Sequence, residues 1–343
     1  MTSVPLPQIL PAVRVRRQTL SGRIAMLLFV VAVIGLAAMP WWARTGTIRM
    51  ILELCCYIAV AQMWNLLAGY AGLVSVGQQA FVGAAGYALF VLAQTFGVNP
   101  FLAIFLSILL PAVLAVPCYM LLHRMDGPYF AIGTWVVAEV FRLVASNLTW
   151  VNAGAGMSLN VMKSYSAFDR NVAMSLLCAL LILATIGGSY WFLRSRYGLA
   201  LIAMRDNPVA AASQGVNVRR LRFMIYVAAA MGSGLAGAVY FMAQLRINPP
   251  SAFDPMWSNV AIFIVMVGGI ASIEGVLIGA LIYFIADRWF GEYGASYFVV
   301  LGVMTVLVAL YARGGIWGAI SKRWDAPWFP IRRHLILNPE DRA

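Results

Sequence analysis

Two pairs of residues inside apolar sequence invite a chemical reading. Gln78 and Gln79 are adjacent within "GYAGLVSVGQQAFVGAAGY" (69–87), and Glu139 and Arg142 are three apart within "DGPYFAIGTWVVAEVFRLV" (126–144). A glutamate and an arginine at that spacing share a helix face and can pair. Ionisable groups inside a membrane span are functional candidates; the alternative is that this pair locks its helix to a neighbour. Glu53 poses the same question with no partner nearby in the sequence. The glutamines and Ser75 supply donors and acceptors where an unmatched polar group is costly. Catalysis has less support. The two histidines, His123 and His334, stand beside no nucleophile, and Cys55, Cys56, Cys118 and Cys178 all fall in apolar runs. Such thiols behave as small hydrophobes, so no catalytic residue, zinc site or disulfide framework is expected.

The elements that must carry these groups are membrane helices. Apolar residues make up 62% of the 343 and charged residues 10%, far from the roughly one-quarter charged of soluble domains. Uncharged runs such as 24–42, 99–122 and 171–193 are long enough for a hydrocarbon core of about 30 Å. The pattern predicts helices near 24–42, 48–68, 80–96, 100–121, 128–145, 172–193, 222–243, 257–272, 275–290 and 296–311. The expected class is an all-α polytopic membrane protein of about ten transmembrane helices, with broken or re-entrant segments and a short helix in a cytoplasmic loop. With the N-terminus inside, 17 of the 24 lysines and arginines fall on the inner side and six on the outer. The positive-inside rule then puts both termini in the cytoplasm, and the net charge of +12 reflects topology rather than a nucleic-acid site. The expected parts are a basic tail (1–23), a transmembrane domain (24–312) with an inner loop (194–221), and a basic aromatic tail (313–343). "RRQTL" (16–20) resembles an export signal, but the apolar run after it outlasts the about 7–15 residues of a cleaved one.

Two interruptions stand out. Gly69, Gly72, Gly77, Gly83 and Gly86 crowd the first. In a membrane, glycines allow either close helix approach or irregular backbone along a cavity. The second echoes it: "GLVSV" (72–76) and "GIASI" (269–273) match position by position, and a glycine-spaced helix follows each. That is the form of an internal repeat of the kind transporters use. Gly72, Ser75, Gly77, Gln78, Gln79, Gly269, Ser272 and Glu274 are therefore assigned to a translocation path or its gate. The loop "RSRYGLALIAMRDNPVAAASQGVNVRRL" (194–221) has clear helix punctuation: Asn207 as N-cap, Pro208 at the first position, Gly215 after the end. A helix of two turns is too short to stand alone in water, so it must rest on its own membrane domain or on a cytoplasmic partner.

Together these segments resemble the LIV-M-type permease subunits of branched-chain amino acid ABC importers, over roughly 48–312. The likeness rests on "NLLAGYAGLVSVGQQAFVGAAGY", "GPYFAIGTWVVAEVFRLV", "SRYGLALIAMRDNPVAAASQGVNVRRLRF" and "NPPSAFDPMWSNVAIFIVMVGGIASIEGVLIGA". It implies a bacterial inner-membrane subunit that pairs with a second, different permease, two cytoplasmic ATPase subunits and a periplasmic substrate-binding protein. It also implies that ATP and Mg bind on the ATPases; this chain has no GxxxxGK[ST] loop of its own. The ATPase-contacting segment of such importers reads Glu-Ala-Ala, three residues, Gly. Ala210, Ala211 and Gly215 keep that spacing and Val209 replaces the glutamate, so the resemblance assigns coupling to Arg205, Asp206, Asn207, Ala210, Ala211 and Gly215. Relatives of this appearance carry branched-chain amino acids, urea or amides, or aromatic and other carboxylates. An ion-coupled secondary transporter or channel is the competing class, and it calls for more buried carboxylates along a path than Glu53 and Glu139.

Overall fold

The computed structural model describes residues 14–16, 20–312, 314–323, 328–329 and 334–336. In chain order its helices are α1 (Leu20–Ala37), α2 (Thr45–Trp64), α3 (Gln78–Phe90), α4 (Pro100–Ser107), α5 (Leu109–Leu122), α6 (Pro128–Asn147), α7 (Ala167–Ile182) and α8 (Gly188–Arg194). They continue as α9 (Arg196–Asp206), α10 (Pro208–Ser213), α11 (Val218–Gln244), α12 (Pro249–Ala252), α13 (Met256–Gly268), α14 (Ile273–Phe290), α15 (Ala295–Tyr311) and α16 (Gly315–Arg323). Each of the ten expected helices has a counterpart. Among the described residues, seven helical stretches are long and apolar enough to cross a membrane.

The differences have local causes. The fourth expected helix divides into α4 and α5 at Ile108, because Pro111 lacks an N–H and its ring opposes the carbonyl four residues earlier. Wider π-type turns over Asn65–Tyr70, Val91–Thr95 and Leu183–Gly187 extend α2 and α3 and join α7 to α8. The first helix begins at Leu20, inside the segment assigned to the tail. Most of both tails, including the greater part of 324–337, lies outside the described residues.

At the centre α11 packs on α2, α3 and α5, and α13 packs on α2 and α14. The four cysteines are free and buried. Small residues make this packing possible: a Cβ on Gly237 of α11 would run into the backbone of Val82 on α3. Two antiparallel strand pairs tie down connections. β1 (Arg14–Arg16) pairs with β4 (His334–Ile336), and β2 (Met157–Ser158) with β3 (Arg246–Ile247), in the registers Val15↔Leu335 and Met157↔Ile247. The second pair fastens the long 146–170 connection beside the end of α11.

Candidate functional site

The first break is a stretch of non-helical chain carried into the bundle. After Asn65–Tyr70, Gly72 takes a positive φ of 70° and turns the chain away from the axis of α2. The backbone then needs partners that no helix supplies. Trp64 Nε1 donates to the Ser75 carbonyl at 2.7 Å, Val76 N–H donates to Thr134 Oγ1 at 3.0 Å, and Gly77 N–H donates to Ser75 Oγ at 3.2 Å. Gly77 lies so close to α6 that a Cβ would overlap the Thr134 carbonyl. Helix α3 starts at Gln78, whose N–H donates to Ser258 Oγ at 3.0 Å.

The two glutamines then close a polar knot. Ser233 Oγ donates to Gln78 Oε1 at 2.9 Å, and Ser258 Oγ donates to Gln79 Oε1. Ser75, Gln78, Gln79, Ser233 and Ser258 are all buried. Ser233 is the sixteenth of the 27 residues of α11, so the knot lies near half depth. Gln78 and Gln79, assigned from the sequence to a path or its gate, bond within the subunit. Their side-chain oxygens accept from α11 and α13 inside the subunit, while Gln78 Nε2 is buried with no partner among the described residues. What the break leaves exposed is Gly72 and Val74.

The second break is a tight turn at the end of the bundle. Gly269 has φ 139°, and Ser272 caps α14 by accepting from Gly275 N–H at 3.2 Å. Its surroundings are fixed from three sides. Asn65 Oδ1 accepts from Ala271 N–H at 2.7 Å while Asn65 Nδ2 donates to the Ser272 carbonyl at 3.1 Å, and Tyr70 OH donates to the Ala271 carbonyl at 2.9 Å. Those bonds hold Ala271 at φ 58°, a region that residues with a side chain rarely occupy. Gly315, at the start of α16, lies against Gly269, where a Cβ would come within 2.5 Å of the backbone. Glu274 is buried, and its carboxylate accepts from Phe329 N–H at 2.7 Å. Glu274, assigned from the sequence to the path or its gate, ties Phe329 beyond α16 to the first turn of α14.

The punctuated loop forms as its residues dictate. Asn207 accepts from Val209 and Ala210 N–H at 3.1 and 3.0 Å, Pro208 opens α10, and Gly215 takes φ 86°. Arg205, Asp206, Val209, Ala210 and Ala212 are exposed, Val209 by 80%. Ala211 is not; it is buried against the subunit. Among three consecutive alanines, helical geometry turns one inward and leaves its neighbours outward. Helix α9 touches Asn65–Tyr70, so this loop and the second break occupy the same end of the bundle.

The charged candidates are simpler. Arg142 Nε donates to both carboxylate oxygens of Glu139 at 3.0 and 2.9 Å, and the pair is about half exposed on α6. Among the described residues no ion pair joins either side chain to a second helix. Glu53 accepts from Tyr57 OH at 3.4 Å. The sequence reading missed Trp64, Asn65, Thr134, Ser233 and Ser258. Asn65 is a lone amide near the end of an apolar run and was readable as a signal; the serines look like ordinary small packing residues.

Comparison with known proteins supplies the family. Residues 46–310 match the model of the permease component of branched-chain amino acid transport systems. The high-affinity branched-chain amino acid transport system permease protein LivM of Escherichia coli (strain K12) is 23% identical over 316 residues, covering 84% of this chain and 74% of that protein. A probable branched-chain amino acid transport permease protein LivH of Methanocaldococcus jannaschii is 23% identical, covering 70% and 82%. The ribose import permease protein RbsC of Bacillus subtilis (strain 168) is 27% identical, covering 63% and 69%.

Proposed function

Since the chain belongs to the branched-chain amino acid transport permease family, we propose that it forms part of the translocation path for branched-chain amino acids in an ABC importer of a bacterial inner membrane. The single observation that carries the coupling part is the α9–α10 loop. It is a capped helix with an exposed apolar face, set on the segment that grips the second break. An exposed Val209 beside Ala210 and Ala212 suits a groove on an ATPase subunit, where small side chains permit close approach. The import permease similar to this chain whose name gives a sugar indicates that the architecture does not select the solute. Selection by a periplasmic binding protein fits that observation.

In this reading both termini and residues 194–221 face the cytoplasm, 146–170 faces the periplasm, and a second, different permease completes the path. ATP and Mg belong to two partner ATPases. The first break acts as a gate rather than a wall: the hinge at Gly72 and the close contact of Gly77 with α6 let a small movement change the exposed backbone. The test is reconstitution of the chain with its co-expressed partners in vesicles. Binding-protein-dependent leucine uptake driven by ATP supports the reading. Uptake driven by an ion gradient without ATP refutes it.

A further inference from the structure

A cavity of about 190 Å³ opens between the ends of α2, α11 and α14 that lie opposite the α9–α10 loop. Arg49, Glu53 and Arg288 line it, with Gln244 at the end of α11 and an apolar side formed by Leu52 and Ala243. Among the described residues no ion pair joins Glu53 to either arginine. Charges of both signs thus face one small space without neutralising each other. By contrast, the larger cleft of about 690 Å³ between α3, α5 and α6 is walled by apolar side chains and offers no charge.

We propose that this cavity binds a zwitterionic α-amino acid, with Arg49 and Arg288 on its carboxylate and Glu53 on its ammonium group. The geometry sorts the two charges. The N-terminal turn of α2, four residues before Arg49, favours an anion, and the C-terminal ends of α11 and α14 favour a cation. Tyr240 lines the cavity and belongs to a cluster of rings that includes Tyr57, one helical turn from Glu53. Tyr57 stands 5.5 Å from Trp257 and 5.4 Å from Tyr283, and Tyr240 stands 4.8 Å from Trp257. Aromatic faces attract an ammonium group. The apolar side takes an aliphatic side chain, and the site holds the solute at the entrance before the bundle opens.

This inference rests on the reading of the chain as an amino acid import permease. The probe is tritiated L-leucine, bound at equilibrium to the purified importer in nanodiscs without the binding protein. The competitors are 4-methylpentanoate, which lacks the amine, and 3-methylbutylamine, which lacks the carboxylate. In the wild type each competitor should bind at least about tenfold more weakly than leucine, the loss expected for one charged hydrogen-bonding group. Glu53→Gln should weaken leucine by a similar factor and leave 4-methylpentanoate unchanged. Arg49→Gln/Arg288→Gln should weaken leucine and leave 3-methylbutylamine unchanged. If Glu53→Gln fails to assemble, the double arginine variant, on exposed residues, decides alone. Vesicles that import leucine while neither substitution changes its binding overturn this site and leave the import reading standing. Vesicles that hydrolyse ATP but import no leucine overturn both.

Discussion

The two breaks carry the same five-residue pattern and satisfy their backbones in different ways. In the first, side chains from distant helices do it: Thr134 of α6, Ser233 of α11 and Ser258 of α13 bond the stretch from Val76 to Gln79. In the second, capping by its own Ser272 and close glycine contacts do much of it, and Asn65 and Tyr70 from the distant extension of α2 complete the turn. The difference follows from depth. A turn at a helix end has few backbone groups to satisfy and can use its own serine. A non-helical stretch near half depth must recruit partners, because no water is available there. One motif therefore serves as a turn in one place and as an interior strap in the other, and the match alone does not establish equivalent roles.

Substitutions can break this contrast, the most damaging first. Gly268→Val should cost the most, about 3 kcal/mol or more, because a Cβ at Gly268 would overlap the Gly275 carbonyl across the turn. Little folded protein should survive detergent extraction; a normal thermal midpoint would show that the turn has room. Asn65→Leu comes next. It leaves the Ala271 N–H and the Ser272 carbonyl without partners, at about 1–3 kcal/mol each when buried. The midpoint should fall clearly, and Asn65→Asp, which keeps the acceptor, should fall less. Equal losses would mean the donor bond carries nothing.

The knot in the first break makes a sharper prediction. Gln79→Leu alone leaves the Ser258 O–H without its acceptor, whereas Gln79→Leu with Ser258→Ala removes both side-chain groups and with them the acceptor of Gln78 N–H. The single change should cost about 1–3 kcal/mol and the pair less than the sum of the singles. Strict additivity in a thermal-melt cycle would show that the two groups do not depend on each other. The smallest effect belongs to the caps. Ser272→Ala should cost about 1 kcal/mol by loss of an N-cap. Ser75→Ala, which removes a 3.2 Å bond to Gly77 N–H, should cost no more than that. A larger loss at Ser75 would reverse the ranking.

The helices and the capped helix of the 194–221 loop were readable because their signals are local: long uncharged runs, Pro111 and Pro117 apart, and the Asn207–Pro208–Gly215 punctuation. The partners of the break were not, since Gln78 and Ser233 are 155 residues apart in sequence and a serine among glycines and alanines announces only close packing. The glutamines were flagged correctly as polar groups needing company; that the company is internal depends on how α3 is rotated against α11 and α13. The burial of Ala211 is of the same kind, since rotation against the subunit decides which of three alanines is covered. Glu139 and Arg142 could be paired from spacing alone, yet nothing in the sequence tells whether a third group joins them.

The proposed function requires that the exposed face of α10 couple a partner's ATP hydrolysis to import. Val209→Asp places a charge on that face and touches none of the buried packing. The decisive measurement is binding-protein-stimulated ATP hydrolysis and leucine uptake by the complex reconstituted in vesicles, together with the thermal midpoint of the variant chain. The predicted result is an unchanged midpoint with stimulated hydrolysis and uptake both reduced at least about tenfold, as expected for a charge buried in an apolar contact. Wild-type hydrolysis and uptake with Val209→Asp in place would contradict the claim.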